Sequence, residues 1–232
     1  LQGVQTVYDI VFISYYEPNA EQNFDDLYSR FNTIGVFGDR VKRVSNVKGI
    51  HNAHIEAAKL AKTSYFYVVD GDAKVVQDFK FAHTAEERDI VHVYHSKNPV
   101  NDLTYGYGGI KLLPTTLTHN MDTTTTDMTT SISDKFKVIN EVSNITAFDT
   151  DAFSTWKSAF RECAKLASKT IDRQDEEETN ARLKTWTTYA TGSYKRDALR
   201  GANAGMQFGL SNSSSLNLIN NFDWLRSQYE NS

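Results

Sequence analysis

Cysteine is nearly absent from this sequence: Cys163 stands alone among 232 residues, and proline occurs only three times. A lone thiol excludes an internal disulfide and fits a reducing, cytoplasmic setting. No apolar run approaches the roughly 20 residues that cross a bilayer, so no membrane partner is expected, and no signal-peptide pattern is visible. An excess of basic charge is missing as well. The net charge of −4 argues against coating nucleic acid through charge alone, while a local basic face stays open. Several motifs are lacking too: a G-x-S-x-G elbow, a phosphate loop, and a Cys/His cluster with zinc spacing. What remains is an ordinary globular composition, 40% hydrophobic and 23% charged, long enough for one large domain or two small ones.

The amino-terminal half alternates. Tyr8 to Ser14 reads as a buried strand, Asn23 to Phe31 as a helix with Phe24, Leu27, Tyr28 and Phe31 on one side, and Arg40 to Val47 as a second strand. His54 to Lys62 is an alanine-rich helix and Ser64 to Val69 the next strand. This order predicts a parallel sheet with ligands at its carboxyl ends, namely Tyr15 to Asn19, Gly49 to His54 and Asp70 to Ala73.

The strand YFYVV runs into Asp70-Gly71-Asp72. With 18 aspartates in the chain, chance supplies such a spacing unaided, and it recurs at Asp149/Asp151. The setting distinguishes the first pair. Two carboxylates just beyond a buried strand suit a hard divalent cation, magnesium or manganese, shared with substrate phosphates. The plain alternative is a polar turn in which Gly71 supplies backbone freedom. For the second pair the ready explanation is capping of the helix that follows.

Ile90 to Tyr94 reads as a further strand, and Tyr105 to Gly109 as a glycine-rich turn that allows close backbone or ligand approach. Thr115 to Ser133 holds nine threonines and two aspartates in 19 residues. That composition predicts little contribution to a core and suggests a mobile loop or lid, or a disordered excursion. From Phe153 onward the pattern is helical. Trp156, Phe160, Cys163 and Ala167 form an apolar face. Lys157, Arg161, Lys165, Lys169 and Arg173 form a basic ribbon roughly 24 Å long. The ribbon suits either a DNA backbone or a solvated face.

The stretches DIVFISYYEPN, VKGIHNAHIEAAKLA and YFYVVDGDA together resemble the GT-A-fold glycosyltransferases. The resemblance implies an α/β fold, a Rossmann-like, mostly parallel sheet flanked by helices with a helical C-terminal part. It implies one domain over 1–232, with a nucleotide-sugar half at 1–75, an acceptor half at 76–152 and helices at 153–232. It implies a nucleoside-diphosphate sugar, a uridine diphosphate sugar first, held by Ser14, Tyr15, Glu17, His51, Asn52 and Asp70. The divalent metal would sit on Asp70 and Asp72, with His119 or His95 completing the shell. Where many relatives show A-R-N before this helix, this chain has Ile50-His51-Asn52-Ala53, which leaves the usual arginine contact unassigned. Glu141 or Asp151 would be the catalytic base if transfer inverts configuration; retaining transfer needs none. HSKNPVNDLTYGYGGIKLLPT and DKFKVINEVSNITAFDTDAFSTWKSAFREC are similar to glycosyltransferase-like proteins of tailed bacteriophages. That likeness implies a DNA acceptor, a hydroxymethylated pyrimidine, with Lys157, Arg161, Lys165 and Lys169 on the phosphates, in the cytoplasm of an infected bacterial host. Carbohydrate or protein acceptors, and a catalytically silent nucleotide- or DNA-binding module, are the alternatives.

Overall fold

The structure is a computed structural model that describes residues 7–106, 108–169 and 175–232. Tyr107 and Arg173 of the sequence expectations lie outside them. The chain clusters into two compact units. One comprises the residues up to Lys97 together with Thr104–Thr146; the other comprises Asn98–Leu103 and Ala147–Ser232.

The first unit is α/β. Its strands are β1 (Asp9–Ser14), β2 (Ile34–Gly35), β3 (Gly38–Asp39), β4 (Val41–Ser45), β5 (Tyr65–Asp70), β6 (Ala73–Val75), β7 (Val91–Lys97), β8 (Thr104–Tyr105), β9 (Ile110–Pro114) and β10 (Phe136–Thr146). The main sheet runs β4-β1-β5-β9-β7-β10-β6, with β8 beside β7. β1 is parallel to β4 and β5, and β10 is parallel to β7, while β9 and β6 run the other way. The sheet is therefore mostly parallel in strand direction. Helices α1 (Ala20–Phe31) and α2 (Ile50–Leu60) are the crossovers that β1, β4 and β5 need.

Both faces are covered, as the apolar runs predict. Ile10 and Phe12 of β1 join Tyr65, Tyr67 and Val69 of β5 in one cluster. The intervening Val11, Phe66 and Val68 pack into the other, with Val44 and Ala57. Successive side chains of a strand point to opposite faces, so each strand feeds two cores.

The threonine-rich segment corrects the expectation of a loop outside the core. It forms α3 (Thr115–His119) and α4 (Met128–Ile132). Met121, Met128 and Ile132 are buried in the same cluster as Val11 and Phe66. The physical reason lies in the polar residues around them. Asp122 accepts from Thr124 N at 2.8 Å, and Asp127 caps α4 by accepting from Thr129 N at 3.0 Å. These local bonds satisfy the turn while a few apolar anchors reach the sheet. It is folded structure anchored to the sheet.

The second unit is helical, with α5 (Ala152–Ser168), α6 (Glu176–Thr188), α7 (Lys195–Ser211), a 3-10 stretch at Ser213–Asn220 and α8 (Phe222–Glu230). Trp156, Phe160, Ala164, Leu216, Ile219 and Leu225 make its core. No helix among the described residues is long and apolar enough to cross a membrane.

Candidate active site

The carboxyl ends of three adjacent strands line up. Ile13 of β1 faces Val44 of β4 on one side and Asp70 of β5 on the other. The turns that leave these strands supply the candidate groups: Tyr15 to Glu17 after β1, Asn46 to Gly49 before α2, and Gly71-Asp72 after β5.

Strained backbone holds two of the turns together. Tyr16 and Asn46 both have positive φ, 60° and 58°, which is uncommon for residues with a Cβ. Asn46 N donates to Ser14 O at 2.8 Å, and Asn46 Oδ1 accepts from Tyr16 N at 3.2 Å. The reward is an exposed aromatic pair. Tyr15 and Tyr16 meet edge to face at 5.0 Å, and Tyr16 is 73% exposed. Ser14 is different. It is buried, and its hydroxyl accepts from Arg43 Nε and Nη2 at 3.2 and 3.0 Å. Arg43 in turn pairs with Glu21 at 2.6 Å. The Ser14 hydroxyl thus anchors Arg43.

Glu17 stands against the D-x-D turn. Its Oε2 accepts from Tyr15 N at 2.7 Å. A Cβ on Gly71 would fall 2.5 Å from that same oxygen and 3.1 Å from Ser14 Cα, so a side chain there would displace the Glu17 carboxylate from the turn. From α1, Asn23 Nδ2 donates to Gly71 O at 3.0 Å. The turn is braced on both sides.

Asp70 and Asp72 therefore share a recess with Glu17. The Asp70 side chain is 37% exposed, so its oxygens reach solvent although protein surrounds them. Burial, opposed by Lys111, raises its carboxyl above the usual range. Asp72 is pushed up to about 7, first by burial, then by the charges of Asp70 and Glu17. Three carboxylates face one ammonium. Lys111, on β9, is 4% exposed, lies 3.5 Å from Asp70 Oδ1 and donates to Gly108 O. Asp70 N donates to Gly109 O at 2.9 Å, so the glycine-rich turn is seated directly on the D-x-D. No signal in the sequence marked Lys111, because its role depends on β9 lying next to β5.

Helix α2 begins at Ile50, four residues before the predicted start, because Gly49 adopts φ 91° and turns the chain early. His51 and Asn52 thus sit in its first turn. No side chain caps it, which leaves its amides facing a site for an anion. Asn52 Nδ2 donates to Lys48 O at 3.3 Å, and His51 Nε2 lies 3.2 Å from Thr125 Oγ1. His54 is buried, with Nδ1 on Ile50 O at 2.8 Å; burial and the Lys111 charge push it down to about 3.

Other expected site residues fall elsewhere. His119 ends α3, exposed, with Nδ1 3.2 Å from Asn120 Oδ1. Among the described residues no three His, Cys, Asp or Glu side chains group to hold a metal. Glu141 is exposed on β10, where the pairing with β7 shifts register between Ile139 and Val142. Its charge acts on Tyr94, whereas Asp72 feels Asp70, Glu17 and Lys111. In the second unit, Asp151 is the N-cap of α5, accepting from Ser154 N at 2.8 Å and Ser154 Oγ at 2.6 Å. The capping explanation holds for it.

The basic ribbon is likewise engaged. Arg161 Nε donates to Ile219 O at 2.9 Å, Lys157 lies over the Phe222 ring at 4.3 Å, and Lys169 pairs with Glu176 at 2.8 Å. Lys165 is half-buried. Residues four apart drift around a helix, and here the drift carries the amino-terminal cations into the seam with the C-terminal segment.

No protein-family model matches the chain, and no curated protein does. Among solved structures, it is similar to the mannosyltransferase PcManGT from Pyrobaculum calidifontis, in complex with GDP-Man and Mn2+. The TM-score is 0.48 at 11% identity, covering 97% of this chain and 83% of that one.

Proposed function

We propose that this chain is a metal-dependent glycosyltransferase that takes its sugar from a nucleoside-diphosphate sugar. The observation that carries this reading is the unbalanced recess at the strand ends, where the turn carrying Asp70 and Asp72 meets Glu17 of the turn after β1. Two carboxylates without a complete ligand set suit magnesium or manganese, which keep open positions for phosphate oxygens. Asp70 and Asp72 would hold the cation. When bound, it supplies neutralisation of the charge that develops on the leaving diphosphate.

The chain's own residues supply the rest. The uncapped amides of α2 receive a phosphate. Tyr15 and Tyr16 offer aromatic faces to a nucleobase. For an inverting transfer Glu141 stays the proposed base because, unlike Asp151, it caps no helix, although it stands on β10 apart from the charges that act on Asp72. The acceptor implied by the phage resemblance, a hydroxymethylated pyrimidine in DNA, is the finer proposal; the engaged ribbon lends it no support.

Calorimetry with UDP and GDP, with and without Mn2+, is expected to show binding that manganese strengthens. Incubation with a panel of sugar nucleotides and hydroxymethylated DNA, followed by mass spectrometry of the nucleosides, then identifies the acceptor. Equal nucleotide affinity with and without Mn2+ would refute the metal-dependent reading. Sugar transfer confined to carbohydrate or protein would replace the DNA acceptor alone.

A further inference from the structure

Lys111 has no place in the reaction just described, yet it is one of the most improbable residues in the sheet. β9 reads IKLLP, and all five residues are buried. Lys111 pairs in register with Val68 of β5 and Val93 of β7, so strands flank it on both sides. Burying an ammonium among such neighbours is costly unless it is paired. Its partners are Gly108 O and Asp70 Oδ1. Its charge also acts on Asp72 and on the buried His54 of α2. A cation is thus already built into the carboxylate recess, tethered by its own strand.

We propose that Lys111 is a positioning residue that keeps the D-x-D from holding a free divalent ion, so that metal and diphosphate enter together. The proposal rests on the reading that a cation joins Asp70 and Asp72 to a diphosphate. The electrostatics have opposite signs for the two ligands. A bare cation must share Asp70 with an ammonium that repels it. A diphosphate brings negative charge that the same ammonium attracts. Lys111 therefore weakens the first and strengthens the second.

Lys111→Met keeps the aliphatic stem and removes the charge. Titration of the apo protein with Mn2+, followed by the electron paramagnetic resonance of the free ion, should show affinity raised roughly tenfold or more. UDP or GDP affinity under saturating Mn2+ should fall in the same variant, and Lys111→Arg should resemble wild type in both. Weaker or unchanged Mn2+ binding by Lys111→Met overturns the proposal, since a merely disturbed site loses both ligands. If Lys111→Met does not fold, Asp70→Asn is compared with Asp70→Asn/Lys111→Met, in which no buried charge is left unpaired. The double variant must bind Mn2+ more tightly than the single one, and equality of the two is likewise fatal. If wild-type Mn2+ affinity ignores both nucleotides, it is the glycosyltransferase reading that fails. The response of Mn2+ alone to Lys111→Met is read separately.

Discussion

Asp72→Asn is expected to lower metal-stimulated sugar transfer by roughly a thousandfold, in keeping with the several kcal/mol that a Lewis-acid cation supplies. The substitution keeps the size and removes the charge. Its companion effect on stability has a definite sign. Burial and the neighbouring Asp70 and Glu17 charges hold the folded-state Asp72 carboxyl up at about 7, above its unfolded value. The folded apo protein binds the extra proton, so the stability it brings is present on the acid side and lost as pH rises through about 7. The asparagine variant escapes that loss. Without metal it should melt at or above the wild type at about pH 8.

The same group sets the pH dependence of metal binding. Proton and cation compete for the Asp72 oxygens, so wild-type Mn2+ affinity should fall as pH drops below about 7, with proton release on binding. Turnover assays, apo melting curves and Mn2+ titrations across that range check all three statements. Full activity in Asp72→Asn would remove the essential metal role from this residue, and a flat pH profile of Mn2+ affinity would contradict the crowded-carboxylate account.

Gly205→Ala is expected to destabilise the helical unit by about 2 kcal/mol or more, although alanine is the better helix former. Gly201, Gly205 and Gly209 recur every four residues along one side of α7. Ideal Cβ atoms there would lie 2.2, 2.2 and 2.4 Å from the carbonyl oxygens of Trp156, Phe160 and Ala164 on α5. Both sets of numbers rise together, so the two helices run in the same direction, backbone against backbone. A methyl at Gly205 would also meet Phe160 Cα at 2.7 Å. Backbone cannot rotate out of the way as a side chain can, so α7 must move off α5. All three tryptophans, Trp156, Trp186 and Trp224, belong to this unit, so denaturant unfolding followed by their fluorescence reads it directly. Gly35→Ala is the control, since a Cβ there meets nothing within 4 Å. A Gly205→Ala midpoint equal to that of the control would show that the helices separate without cost.

Much of the first unit was legible in the residues themselves. β1, β4, β5 and the helices between them follow from short apolar runs alternating with amphipathic ones, and that periodicity is a local property. The D-x-D at the end of β5 was legible for the same reason, because a strand's end is visible where its apolar run stops. The capping role of Asp151 needed only its position before a helical pattern. The apolar face of α5 at Trp156, Phe160, Cys163 and Ala167 needed only a period of 3.6; all four are buried.

Tertiary structure alone decided the remainder. β10 carries six polar or charged residues among eleven, and most of it is exposed, so no alternation marked it. Its existence depends on β7 and β6 offering hydrogen-bonding edges. The threonine-rich segment belongs to a core because Leu117, Met121, Met128 and Ile132 find the sheet, which composition averages away. Lys111 next to Asp70, Asn46 across from Tyr16 and Arg43 on Ser14 all join residues dozens of positions apart. The α7 glycines became legible only once α5 lay against them. The physical reason is common to all of these. Sequence patterns report what one segment does with its own neighbours, whereas charge pairing and close packing depend on which segments the fold brings side by side.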